Sequence, residues 1–270
     1  MKTRIIAAVV LLPLLLLIVL AAPKIFTAIL FGLMASIAAY ELTVGTGLIK
    51  HTPVVVCCML MASFVCVWCG LQLSYAWLLL GILVFWGLLF GEMMRSKMKL
   101  PFEMTAVCLA AGLILPLLLG SVVRIHTWER GRFFILIPFV ISFLSDTGAY
   151  FAGCYLGKHK LAPEISPKKT VEGLVGGFAG AVVGMVIFSL VLQLGFGFRV
   201  NYLFAVIYGV LGSAGATFGD LCFSVIKRQT GIKDYGNLIP GHGGILDRFD
   251  STIVVGPLAE VLLLLLPLAV

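Results

Sequence analysis

A chain of 270 residues that is 61% hydrophobic and only 11% charged is not an ordinary soluble domain, where about a quarter of residues carry charge. Its solvent is a bilayer, and its continuous apolar runs lack the alternation of an outer-membrane barrel. The net charge of +7 does not point to nucleic acid, because the basic residues gather between apolar runs, where they record topology and contact with anionic lipid.

A membrane-crossing helix needs roughly 20 mostly apolar residues. Nine stretches qualify, at approximately 4–22, 25–46, 53–70, 75–92, 103–121, 132–156, 171–195, 201–226 and 248–269. In lipid the backbone must satisfy its own hydrogen bonds, so the runs read as helices. The expected fold is all-α: a polytopic membrane protein of about nine transmembrane helices, forming one integral membrane domain over 1–270. The first run follows Lys2 and Arg4, as in a signal peptide, but its length and the poor exit Leu20-Ala21-Ala22-Pro23 favour a retained helix. With the amino terminus in the cytoplasm, most basic residues fall inside and Lys24, Arg124, Arg130, Arg132 and Arg199 fall outside.

The two halves differ in character. Residues 1–130 read as a scaffold with short loops, and 131–270 carry nearly every residue with chemical potential. The seven cysteines all lie in apolar context and read as small buried hydrophobes, Cys66 and Cys69 included despite their CxxC spacing. Gly176, Gly180 and Gly184 recur every fourth residue on one helix, as Gly215 and Gly219 do on the next. Small residues at that spacing let helix backbones approach closely.

Asp220 lies near the inner end of the eighth span, and an acid inside a span is a functional candidate because it is costly there. Ser224 and Lys227 follow on the same helical face; an internal ion pair with Lys227 or another base is the structural alternative. Asp247 and Asp250 are three residues apart, so on a helix they share a face and repel unless a cation lies between them. Magnesium takes hard oxygen ligands of this kind, together with waters and substrate phosphates. Capping of a helix start explains one of the two acids equally well. Asp146, in the sixth span, is a further ligand, a partner for a substrate hydroxyl or a lysine, or a hydrogen-bonded packing carboxylate.

Anion-binding parts stand close by in the sequence. Lys168 and Lys169 sit in a loop before the seventh helix, with Pro167 and Thr170 suited to its start. Lys227, Arg228 and Lys233 add positive charge, and Gly241, Gly243 and Gly244 can turn backbone N–H groups toward an anion, with His242 as a further donor. Acids for a metal, bases for phosphates and a glycine loop make up the inventory of phosphoryl or nucleotidyl transfer. The chain has no Walker loop, and a site embedded in the membrane suggests that one substrate is a lipid.

The stretch 224–251, SVIKRQTGIKDYGNLIPGHGGILDRFDS, closely resembles the signature of the phosphatidate cytidylyltransferase (CDP-diacylglycerol synthase) family. The matching residues are Ser224, Lys227-Arg228, Lys233-Asp234, Pro240-Gly241-His242-Gly243-Gly244 and Asp247-Arg248-Phe249-Asp250. The likeness extends to SDTGAYFAG at 145–153 and SPKKTVEG at 166–173, whereas 1–130 resembles the family only in hydropathy and length. Val171 and Phe223 depart from the family pattern, the latter where a glutamate is common.

The resemblance implies transfer of a cytidylyl group from CTP to phosphatidic acid, giving CDP-diacylglycerol and pyrophosphate for phospholipid synthesis. On that reading Asp220, Asp247 and Asp250 bind magnesium, with Asp146 as a fourth acid and a second cation plausible. Lys227 belongs with the catalytic acids, and Lys168, Lys169, Arg228, Lys233, His242, Gly243, Gly244 and Ser224 hold the two phosphate-bearing substrates. The expected setting is a bacterial inner membrane, with the site facing the cytoplasm and a homodimer as the commonest closed assembly. The alternatives are a CTP-dependent lipid kinase, a cytidylyltransferase for another lipid phosphate and, more remotely, a cation or proton transporter.

Overall fold

Long apolar runs become long helices, and glycines and serines decide where these touch. The structure, a computed structural model, describes residues 13, 15–96, 101–238 and 243–269. Among the described residues seven helical segments are long and apolar enough to cross a membrane, and they match the expected runs from 25–46 to 201–226. The expected first span lies largely outside the described residues, although 15–21 are helical. The expected ninth forms a helix of 20 residues, Leu246–Leu265, that carries Asp247, Arg248, Asp250 and Glu260 along its apolar body.

The chain divides into two compact units, Met1–Arg132 with Lys227–Phe249, and Phe133–Ile226 with Asp250–Val270. In the first, α1 (Lys24–Tyr40) runs on into a π-helical turn, Glu41–Gly45. α2 (Thr52–Leu71), α3 (Tyr75–Arg95), α4 (Phe102–Leu109) and α5 (Leu115–Thr127) follow, α4 and α5 being joined by a second π turn, Ala110–Ile114. α1 packs on α2 through the fully buried Ala28, Phe31, Ala35, Ala62 and Cys66. Ser36 and Ser63 stitch the same face through a 2.7 Å hydrogen bond between their hydroxyls, with the Met59 carbonyl 2.6 Å from Ser36 Oγ and the Gly32 carbonyl 3.1 Å from Ser63 Oγ to take the remaining proton. Such bonds stabilise helix pairs where lipid supplies no hydrophobic drive. α3 turns Trp77, Leu80, Leu83 and Trp86 outward, as a helix facing lipid does.

After the short α6 (Gly131–Phe134), the second unit contains α7 (Ile137–Leu156), a hairpin of β1 (Lys160–Ala162) and β2 (Ser166–Thr170), α8 (Val171–Phe196) and most of α9 (Tyr202–Gln229) and α10 (Leu246–Leu265). The hairpin is a departure from the expected all-helical chain. Its strands pair antiparallel, Lys160 opposite Thr170 and Ala162 opposite Ser166. This backbone lies between spans, where it does not have to be helical.

The glycine ladder packs as its spacing suggests. Cβ atoms at Gly176, Gly180 and Gly184 would run into Ala152, the Leu144 carbonyl and the Leu144 side chain of α7. A Cβ at Gly209 of α9 would fall 2.6 Å from Val182 Cα of α8. Ser145 of α7 and Ser213 of α9 share a buried hydrogen bond of 2.8 Å. At the far end, buried Tyr208 donates to the Leu266 carbonyl at 3.1 Å and Asn201 N–H to Leu268 at 2.9 Å.

Candidate functional site

In the second unit the hairpin delivers its lysines to the end of α9. Thr170 closes β2 and caps α8, its hydroxyl accepting the Gly173 N–H at 3.1 Å. Glu172, in the first turn of α8, holds the start of the hairpin: it accepts from Lys158 N–H at 3.0 Å and pairs with the His159 ring at 2.6 Å. Lys169 then forms an ion pair with Asp220, whose other oxygen accepts the Ser224 hydroxyl at 3.3 Å. The pair is about one-quarter exposed on each side. It lies by a cavity of about 450 Å³ lined by Ser145, Asp146, Tyr150, Lys160, Lys168, Lys169 and Thr217 among others. Asp250 is a neighbour in the same unit, since a Cβ on Gly219 would fall 2.7 Å from its carbonyl oxygen.

In the first unit the polar loop folds around a buried ion pair. Gly231, at φ +71°, ends α9 in a left-handed turn, with Ile232 N–H reaching back to the Lys227 carbonyl at 3.0 Å. Lys227 Nζ bonds Asp247 Oδ1 at 2.9 Å and lies 5.4 Å from the centre of the Tyr235 ring. Their side chains are 12% and 2% exposed. Asp247 Oδ2 accepts the N–H groups of Tyr235 at 2.8 Å and Gly244 at 3.0 Å. Gly243 has φ +83°, and a Cβ there would fall 2.8 Å from Asp247 Oδ2. The next two amides, Ile245 and Leu246, donate to the buried carboxylate of Glu41 at 3.0 and 2.7 Å.

Two of the acids singled out in the sequence, Asp220 and Asp247, are therefore held by lysines. Asp220 takes Lys169, the other base of the structural alternative, and Lys227 belongs to Asp247. Asp247 and Asp250 are both helical, and Asp247 also makes the capping bond that the sequence offered as its alternative role. Asp146 and Lys168 are exposed and line the cavity; Arg228 and Lys233 are exposed at the end of α9 and in the loop after it. The amide of Gly244 is turned onto the chain's own carboxylate, and His242 lies outside the described residues. Cys154, read as buried, is exposed and lines the cavity.

The acids have the chemistry for magnesium, being hard oxygen donors. Among the described residues no three His, Cys, Asp or Glu side chains converge as a ready metal cage. Asp247 Oδ1 faces the Lys227 ammonium, and Asp220 faces that of Lys169, so positive charge already stands where a cation would. A carboxylate oxygen has two lone-pair sites, which leaves room for a second partner on Asp220 and Asp247.

The sequence reading passed over Glu41. The signal was present: it is an acid within an apolar run, the same feature that marked Asp220.

Apolar helices, a cavity flanked by lysines and lysine-held acids at helix ends define an integral membrane protein. The profile of the Cytidylyltransferase family matches residues 2–266, and the chain belongs to that family. It is 41% identical over 169 residues to the phosphatidate cytidylyltransferase of Staphylococcus saprophyticus, a match covering 63% of each chain. To the protein of the same name from Bacillus subtilis it is 44% identical over 137 residues, 51% of this chain and 49% of that one. The Staphylococcus aureus strain COL protein is 39% identical over 169 residues, again 63% of each. The matched region thus spans less than two thirds of these curated relatives.

Proposed function

We propose that this chain transfers the cytidylyl group of CTP to phosphatidic acid, releasing pyrophosphate and leaving CDP-diacylglycerol in the membrane. The observation that carries the reading is the Lys169–Asp220 pair beside a lysine-lined cavity, in a chain of the cytidylyltransferase family. A phosphate monoester has its second pKa at about 6, so near neutral pH the lipid phosphate is already a nucleophile. It attacks the α-phosphorus of CTP, a new P–O bond forms, and the bond to pyrophosphate breaks. The protein's part is to position the reactants and neutralise charge.

Lys168, Lys169, Arg228 and Lys233, with His242 and the glycine loop, balance the phosphates of the two substrates. When substrate binds, Lys169 and Lys227 move part of their charge from Asp220 and Asp247 to phosphate oxygens. Asp220 and Asp247, with Asp250 and Asp146, are the residues that would hold magnesium, which would supply further neutralisation of phosphate charge. The setting is a bacterial inner membrane: nine spans, a cytoplasmic amino terminus, and both polar segments facing cytoplasmic CTP. The assembly is a homodimer.

The test is to follow label from CTP into lipid, with detergent-purified chain, phosphatidic acid and magnesium. CDP-lipid and pyrophosphate in equal amounts are expected, with activity abolished by EDTA. Asp220→Asn lowers turnover by about a hundredfold or more, the scale of losing one electrostatic contact in a transition state. Release of CDP with a newly phosphorylated lipid would establish the kinase instead.

A further inference from the structure

We infer that Glu41 is a positioning residue: from a distant helix it clamps the start of α10 and so fixes Asp247 for the reaction. The inference rests on the cytidylyl-transfer reading for its catalytic consequence. Glu41 stands at the first position of the π turn that extends α1, and it is 3% exposed. π turns are rare and often mark functional positions. A carboxylate in an apolar span is expensive, so its retention calls for strong partners. The partners are the Ile245 and Leu246 N–H groups, 204 and 205 residues away in sequence. They are the amides at the helix start, which have no acceptor within the helix and form a natural anion site.

Three glycines make way for this contact. A Cβ at Gly45 would strike the Tyr235 carbonyl, and one at Gly244 would strike the Glu41 carboxylate. One at Gly236 would fall 2.6 Å from Glu41 Oε1. The π turn and the residues that precede Asp247, Tyr235 and Gly236 on one stretch and Gly244 on the next, are thus in close contact. Gly244, Ile245 and Leu246 are consecutive: the first amide serves Asp247, the other two Glu41. The two carboxylates divide one helix start between them, so losing Glu41 leaves one buried and one part-buried N–H group unmet and lets Asp247 swing toward them. A local side chain at Ile245, the position preceding α10, would cap this helix alone; the remote acid also ties Ile245 and Leu246 to the π turn after α1.

The role belongs to position and not to contact with the reacting atoms, and the test must separate it from plain stability. Glu41→Gln keeps the shape and one acceptor, Glu41→Ala removes both, and Gly236→Ala crowds the carboxylate without removing it. Each would be purified in detergent and assayed for kcat and KM, with amide exchange measured over 243–249 by mass spectrometry. Expected are exchange at 245–246 at least tenfold faster and a kcat about tenfold lower in Glu41→Gln and Gly236→Ala, the usual cost of losing a supporting partner. Glu41→Ala falls further, and KM for CTP stays within about threefold. Unchanged exchange, or faster exchange with unchanged kcat, overturns the inference. So does a loss traced wholly to unfolded protein in all three variants. If the unaltered chain forms no CDP-lipid, the reaction itself is wrong, and exchange alone then decides the clamp.

Discussion

The two lysine–carboxylate pairs differ in what they contribute, because they differ in burial. Lys227 and Asp247 are nearly enclosed, at 12% and 2% exposure. Removing one member of such a pair strands a buried charge, at about 3–5 kcal/mol. Lys227→Met is therefore expected to lower unfolding free energy in detergent by that order, and the double variant Lys227→Met/Asp247→Asn to recover part of it. Lys169 and Asp220 are about one-quarter exposed and screened, so their pairing contributes at most ~1 kcal/mol. Lys169→Met is expected to leave the melting temperature almost unchanged and to weaken substrate binding, seen as a raised KM. Asp220 was legible in the sequence because a charge in an apolar run is conspicuous. Its partner was not, since Lys169 reaches it only through the hairpin and the packing of α9.

At the scale of elements, glycine placement decides how close helices come. On α8, a Cβ at Gly180 would strike the Leu144 carbonyl, whereas nothing lies within 4 Å of one at Gly195. Gly180→Ala is expected to cost about 1–3 kcal/mol by overpacking. Gly195→Ala is neutral or stabilising by up to about 1 kcal/mol, because alanine suits a helix better than glycine. Thermal unfolding of the two variants side by side checks both. Thr170→Ala, which removes the α8 cap, costs about 1 kcal/mol in the same measurement. The four-residue glycine spacing was readable in advance because it is a property of one helix. The hairpin was not: its strands are three and five residues long, with no alternating apolar face to announce them.

For the whole molecule, the distribution of basic residues sets the proposed orientation, and membrane sidedness tests it. In inside-out bacterial vesicles, trypsin is expected to cut after Lys158 or Lys233 and to leave Arg130 protected; right-side-out vesicles should give the reverse. Uncut Lys233 in inside-out vesicles would turn the chain over. Hydropathy located, within a few residues, seven helices long and apolar enough to cross a membrane, because the need for about 20 apolar residues is a local demand that any chain crossing a bilayer must meet.

What the sequence determined by itself was the solvent and the helices, since each follows from local composition. Tertiary structure decided the pairings: Lys227 to Asp247, Lys169 to Asp220, and Glu41 to amides more than 200 residues away. The physical reason is that an ion pair or a cap depends on atoms brought within about 3 Å. Helix spacing can group residues on one face, but only packing selects which opposing group meets them.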